Sequence, residues 1–346
     1  TNLVCKVRNF QFIDNTVFQS SQQAISISKV TGKVNITGSS FNFNTIASSS
    51  LVVLNSATDD SDVSINNCNF TDCKCSGEIQ LSVKQTSIEY CDFYFELNDE
   101  NSANGAIHSQ GNGFTCKYCT FTKTRSNGAI TVAQTESQTD SVTVSNCIFD
   151  DCAGSNTRCF NLITYTDKLT FSYNVVQNMK ANGTNSYFGL LKPNNKVESL
   201  EMLNISFIDN TCNTEYGGGI GLLIEDVKEV YFNDCKFINN VATSSQRSQN
   251  PSGMTSYTSG DGGAFQYGFE KSLYEINMKF DHCLFSRNKA SRHGGALAIQ
   301  TVGTVEITFC TFEENIANYK VESSLNLLDN YFNLKDAEEI PVKFKN

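Results

Sequence analysis

Fourteen cysteines are the residues of this chain with the widest chemical range. An even, high count reads as a disulfide framework, and close pairs read as a metal or redox site. Cys116-Lys117-Tyr118-Cys119 has the spacing of a redox dithiol or of half a zinc site. No second ligand pair and no strand–helix–strand context accompanies it, so neither a metal nor a cofactor is expected. The other cysteines divide by phase. Cys68, Cys91, Cys119, Cys147, Cys235, Cys283 and Cys310 each stand two residues before a recurring Phe, where a thiol serves as a small apolar filler. Cys5, Cys73, Cys75, Cys116, Cys152, Cys159 and Cys212 fall outside that phase and are the better disulfide candidates, with their pairing open.

Catalysis by carboxylates is the next chemistry to weigh. Enzymes that cut glycosidic bonds place two carboxyl groups roughly 5 to 9.5 Å apart across the bond. The adjacent Asp pairs are Asp59-Asp60 and Asp150-Asp151. The Gly-His-Gly and Arg-x-Lys of polygalacturonase chemistry are missing, since His293-Gly294-Gly295 belongs to a repeat and His108 and His282 lie elsewhere. Solvated surface charge is the expected role of these acids, and no catalytic residue is assigned. Four sequons, at Asn35, Asn69, Asn182 and Asn204, are candidate glycan sites. Asn35 lies between Val34 and Ile36 and Asn69 between Cys68 and Phe70, so both are expected to face solvent. Asn182 is expected in a polar insertion and Asn204 at a corner.

The elements that position these residues come from a repeat. Val305-Glu306-Ile307 leads to Cys310, Phe312 and Asn315, and Met278-Lys279-Phe280 leads in the same way to Cys283, Phe285 and Asn288. The marker Phe recurs at Phe12, Phe41, Phe70, Phe93, Phe121 and Phe149, has the stand-in Val175, and continues at Phe207, Phe237, Phe285 and Phe312. The unit is about 28 residues, a period that signals a solenoid and is too short for a propeller blade. Three residues after the marker stand Asn15, Asn44, Asn178, Asn210, Asn240, Asn288 and Asn315, with Cys73 and Cys152 in two other units. A Gly step recurs in phase at Gly105-Ala106, Gly128-Ala129, Gly217-Gly218-Gly219, Gly262-Gly263-Ala264 and Gly294-Gly295-Ala296.

Short runs such as Val63-Ser64-Ile65 alternate with period two, and no stretch has helical periodicity. The expected fold is all-β, a right-handed parallel β-helix of about eleven coils and on the order of 50 Å long. The parity of the apolar positions changes between five and two residues before the marker, so a corner is expected there. Asn three residues after it is expected at a second corner, in αL geometry, with its amide bonding the one above. Gly supplies positive φ at the next corner. The solenoid is expected over 1–332, with 333–346 a polar tail acting as a partial cap or linker.

These Gly-Gly-Ala-Ile and Phe-x-x-Asn patterns resemble the repeats of the chlamydial polymorphic outer-membrane proteins, and similar repeats occur in large surface proteins of ciliates and other protists. The likeness covers about residues 3–332 and is strongest over 200–318. It implies a cell-surface or extracellular passenger segment and, by analogy, adhesion; the autotransporter barrel of that family has no counterpart here.

A net charge of −10 with no basic stripe argues against nucleic-acid partners. No apolar run has the length of a membrane span. The sequence starts without Met or a signal peptide, which reads as a processed product or an excerpt. The polar stretch between Asn240 and Gly262 reads as a loop leaving a rigid scaffold, a common recognition surface. The expected function is that of a non-enzymatic extracellular structural or adhesive rod. Its expected partners are copies of itself end to end, N-linked glycans and a host or matrix surface. The alternative is a carbohydrate-binding or polysaccharide-cleaving, pectin lyase-like β-helix.

Overall fold

A computed structural model describes residues 3–13, 16–17, 25–42, 45–46, 50–72, 77–95, 106–124, 129–133, 141–152, 158–163, 166–182, 187–191, 197–213, 218–224, 227–243, 260–267, 276–299, 303–318, 325–327 and 343–345. Every regular element among them is a strand, and the strand pairs are parallel. The chain is a parallel β-solenoid. One sheet holds 12 short strands in chain order, from Gln11–Ile13 through Ser40–Asn42 to Lys343–Lys345. A 17-stranded sheet carries the strands that precede and follow this ladder, and a 5-stranded sheet lies beyond the second corner. Twelve marker rungs are one more than the count of recurring markers predicts, because Phe344 pairs in register with Phe312.

Register follows the repeat. Phe41, Phe70, Phe93, Phe121 and Phe149 are Cα partners in succession. Their buried rings stack with centroids 4.8 to 5.0 Å apart, the spacing of neighbouring strands. The stack resumes over Phe207, Phe237, Phe285 and Phe312. Between the two runs the rung partner of Phe149 is Val176, which is buried, while Val175 is only half-buried. The stand-in is thus Val176, one residue beyond the expected Val175, and Asn178 is not in phase with the asparagines of later coils. A shift of one residue exchanges the two faces of a strand, and burial decides it.

The parity change has a simple cause. Three residues before each marker the backbone enters the left-handed region, at Asn67, Tyr90, Tyr118 and Asn146 with φ of 52° to 56°. This turn brings both Ile65 and Cys68, or Ile88 and Cys91, to the inside. Non-Gly residues rarely adopt αL, and aromatic ones less often still. Here the rings of Tyr90 and Tyr118, about half exposed, stack on each other 4.8 Å apart.

The second corner differs from expectation. The αL residues are Asp209, Asn239, Arg287 and Glu314, each one position before the recurring Asn, while Asn178 itself has the expected αL geometry because it stands one position before Met179 in its coil. The recurring Asn side chain is turned inward to make its ladder, so the preceding residue takes the turn. The Gly step behaves as expected: Gly262 has φ of 64°, and a Cβ on Gly263 would collide with the Gly295 carbonyl of the next coil.

Candidate functional site

Three groups of side chains could do chemistry in this frame. The first is the inward corner two residues before the marker. Cys68, Cys91, Cys119, Cys147, Cys235, Cys283 and Cys310 are buried there, as their phase predicts. Each thiol has two carbonyls within reach of its single S–H. Cys119 Sγ reaches Lys117 O at 3.3 Å and Ile88 O at 3.6 Å, and Cys235 Sγ reaches Met202 O at 3.2 Å and Asn233 O at 3.5 Å. A thiol here is both filler and a weak additional donor to corner carbonyls that also accept a backbone N–H from the coil before, as Lys117 O does from Tyr90 N at 3.0 Å. Asn174 does the same work with an amide, donating to Val144 O at 2.9 Å and accepting from Cys147 N at 2.8 Å.

Burial does not separate the corner cysteines from the disulfide candidates. Cys116, Cys152, Cys159 and Cys212 are as buried as the corner thiols, and Cys5 is partly buried against the same core. All five carry free thiols in this structure, as do the other described cysteines; Cys73 and Cys75 lie outside the described residues. Burial pushes the Cys116, Cys147 and Cys159 thiols up, which keeps them protonated. Among the described residues no group of three or more His, Cys, Asp or Glu is placed to hold a metal ion.

The second group is the asparagine ladder. Asn210 Nδ2 donates to Asn240 Oδ1 at 2.9 Å, Asn240 to Asn288 at 3.0 Å and Asn288 to Asn315 at 2.9 Å. Each also donates to the marker carbonyl of the coil before, as Asn240 does to Phe207 O at 3.0 Å. Beside it, Asp261 is buried and accepts from His293 N at 3.0 Å and Arg292 Nε at 3.4 Å. This pins the end of the polar stretch after Asn240 to the next coil. The residues 244–259 of that stretch lie outside the described residues.

The third group escapes a reading by motif. Gln80, His108, Thr131 and Asn161 are rung partners in the 17-stranded sheet, at alternate positions to the inward Ile79, Ile107, Ile130 and Phe160. Thr131 and Asn161 are nevertheless buried, as is Gln266 at the same place in its own Gly-Gly-Ala unit. Among the described residues Thr131 Oγ1 and Gln266 Oε1 have no hydrogen-bond partner. His108 Nε2 lies 3.1 Å from Gln110 Nε2, and Ser82 Oγ donates to Gln110 Oε1 at 3.0 Å. Burial lowers the His108 pKa, so the ring is neutral at pH 7. Part of the signal for this column was present in sequence: His108, Thr131 and Gln266 stand two residues after the Ala of a Gly-Ala step, whereas Gln80 and Asn161 follow no such step. The arrangement can hydrogen-bond a polar ligand, but it supplies no carboxylate pair.

The remaining candidates are spread over the surface. Asn69 and Asn204 are exposed, Asn204 at an αL corner, and Asn35 is half-buried between inward Val34 and Ile36. Asn182 lies in the strand Lys180–Asn182, paired with Asn213, rather than in an insertion. Asp150 accepts from Asn178 Nδ2 at 2.7 Å, and Asp151 is an αL corner residue. No helix among the described residues is long and apolar enough to cross a membrane. No family model, curated protein or solved structure matches this chain.

Proposed function

We propose that this protein is a non-enzymatic extracellular structural or adhesive rod at a cell surface, whose copies associate end to end. The observation that carries the reading is how surface side chains are used. They bind the neighbouring coil: Lys168 Nζ to Glu201 at 2.7 Å, Lys228 to Glu198 at 2.7 Å, Lys279 to Glu306 at 2.9 Å and Thr304 to Asn277 at 2.7 Å. Charges satisfied rung against rung suit a shaft better than a catalytic cleft. The likeness to chlamydial and protist surface repeats supports the same placement. The shaft carries N-linked glycans at Asn35, Asn69 and Asn204, where the side chains reach the surface. End-to-end association is supported by the direction of the ladder: its described strands are parallel and follow chain order, so a stack of such coils has two unlike end faces. Such unlike ends make a heterologous contact, which extends without closing.

The partly buried polar column through His108 and Thr131 favours a second reading, a carbohydrate-binding or pectin lyase-like β-solenoid. Sedimentation, intact mass and electron microscopy of native-source material, before and after N-glycosidase treatment, separate the two. Unbranched fibres and a fall in mass on deglycosylation are expected. An unglycosylated, monodisperse monomer that retains oligosaccharide would overturn the first reading in favour of the second.

A further inference from the structure

Five residues before each marker, the inward column runs Ile65, Ile88, Cys116, Val144, Phe171 in successive coils. Cys116 thus places a small thiol where its neighbours place a branched or aromatic side chain. The corner of the next coil brings Cys147 to meet it, with the two Sγ atoms 3.9 Å apart and both side chains fully buried. Cys147 Sγ also lies 3.7 Å from the Cys116 carbonyl oxygen. Cys119, around the αL corner at Tyr118, points its thiol instead at Lys117 O and Ile88 O, 3.3 and 3.6 Å away.

We propose that Cys116 and Cys147 form an intrachain disulfide that staples two successive coils through the core. From van der Waals contact the sulfurs must close by roughly 2 Å to reach bonding distance, a movement within reach of side-chain rotation. The co-reactant is a small-molecule disulfide. A Cys116 thiolate attacks one of its sulfurs, giving a mixed disulfide and releasing one thiolate. Cys147, deprotonated in turn, then attacks Cys116 Sγ, forming the protein disulfide and expelling the second thiol. Two protein S–H groups are oxidised and one small-molecule disulfide is reduced to two thiols. Neither sulfur is accessible in the folded coil, so the exchange occurs during folding or local opening.

The test uses the full chain refolded with and without oxidised glutathione, alkylated under denaturing conditions and digested with trypsin without reduction. Cleavage after Lys117 separates Cys116 from Cys119, and fragmentation spectra locate the linked residues within each peptide pair. The oxidised sample should contain Cys116 joined to Cys147 with the loss of two hydrogens, and its urea midpoint should exceed that of the reduced sample. Cys119→Ala should keep the link. Cys116 recovered alkylated from the oxidised sample, or joined to Cys119, overturns the proposal. Both outcomes are read on the unsubstituted chain, so no variant has to fold for the result to count.

Discussion

The coils carrying Asn210, Asn240, Asn288 and Asn315 close their second corner with a ladder of amides, whereas those carrying Thr124 and Cys152 close the same corner without one. Cys152 Sγ still reaches the marker carbonyl of the coil before, Phe121 O at 3.0 Å, as each Asn does in its own coil. What it lacks is an oxygen for the coil before to donate into. An amide has two donors and an acceptor, so every rung serves the next and the motif propagates. A thiol is a weak donor and a weak acceptor, so it caps locally. The two regions share strand register and aromatic stacking but differ in how strongly one coil is tied to the next by polar contacts.

What they share should give the largest effect. Phe121 and Phe285 are fully buried in equivalent stacks. Replacing either by Ala should cost about 3 to 5 kcal/mol of unfolding free energy, as at other buried aromatic sites. Urea denaturation of the two variants checks this. A loss at Phe121 much smaller than at Phe285 would mean that the region without the ladder rests less on its aromatic column than the stacking geometry implies.

Exchanging the corner residues sharpens the contrast. Asn240→Cys leaves the backbone N–H and the side-chain amide of Asn210 without their common acceptor. Each unsatisfied buried group costs about 1 to 3 kcal/mol, so a loss of roughly 2 to 4 kcal/mol is expected. The reverse change, Cys152→Asn, adds an acceptor beneath the coil of Thr124 and should be neutral or stabilising by up to about 1 kcal/mol. The same denaturation assay measures both. Equal losses in the two directions would show that side-chain volume, not the amide, sets the stability of this corner.

The architecture was legible because a solenoid writes its period into the chain: equivalent positions of Phe285 and Phe312 are stacked in space because they are equivalent in sequence. The Val175 stand-in failed because two adjacent valines satisfy the same pattern, and only burial distinguishes them. The αL assignment failed because Asn tolerates that geometry and also makes ladders; in this fold it makes the ladder while Asp209 or Arg287 takes the turn. Phase alone does not tell a disulfide cysteine from a packing one. The structure buries Cys116, Cys152, Cys159 and Cys212 because a coil has more than one inward column, and each lies in a column other than the one that defined the phase. The polar column through His108 went unread because outward positions of a β-helix were taken to be solvated, which Thr131 and Asn161 are not.

Acid should separate the two regions with the smallest effects of the set. His108, in the region without the ladder, has a pKa lowered from 6.5 by burial. Between that ordinary value and its folded value the unfolded chain binds the proton and the folded one does not. Stability from this group therefore falls as pH drops below about 6.5. Asp281, in the region with the ladder, has its carboxyl held below the ordinary 3.8, first by the Thr308 hydroxyl donating at 2.7 Å and then by His282. Its contribution is complete above the ordinary carboxylate range and is lost as pH falls through the lower folded value. It should be no more than about 1 kcal/mol for a site this open to water. Urea midpoints measured against pH should fall in two windows, the higher removed by His108→Asn and the lower reduced by Asp281→Asn. If His108→Asn leaves the higher window in place, the ring is not buried as a neutral group, and the column it belongs to is open to solvent.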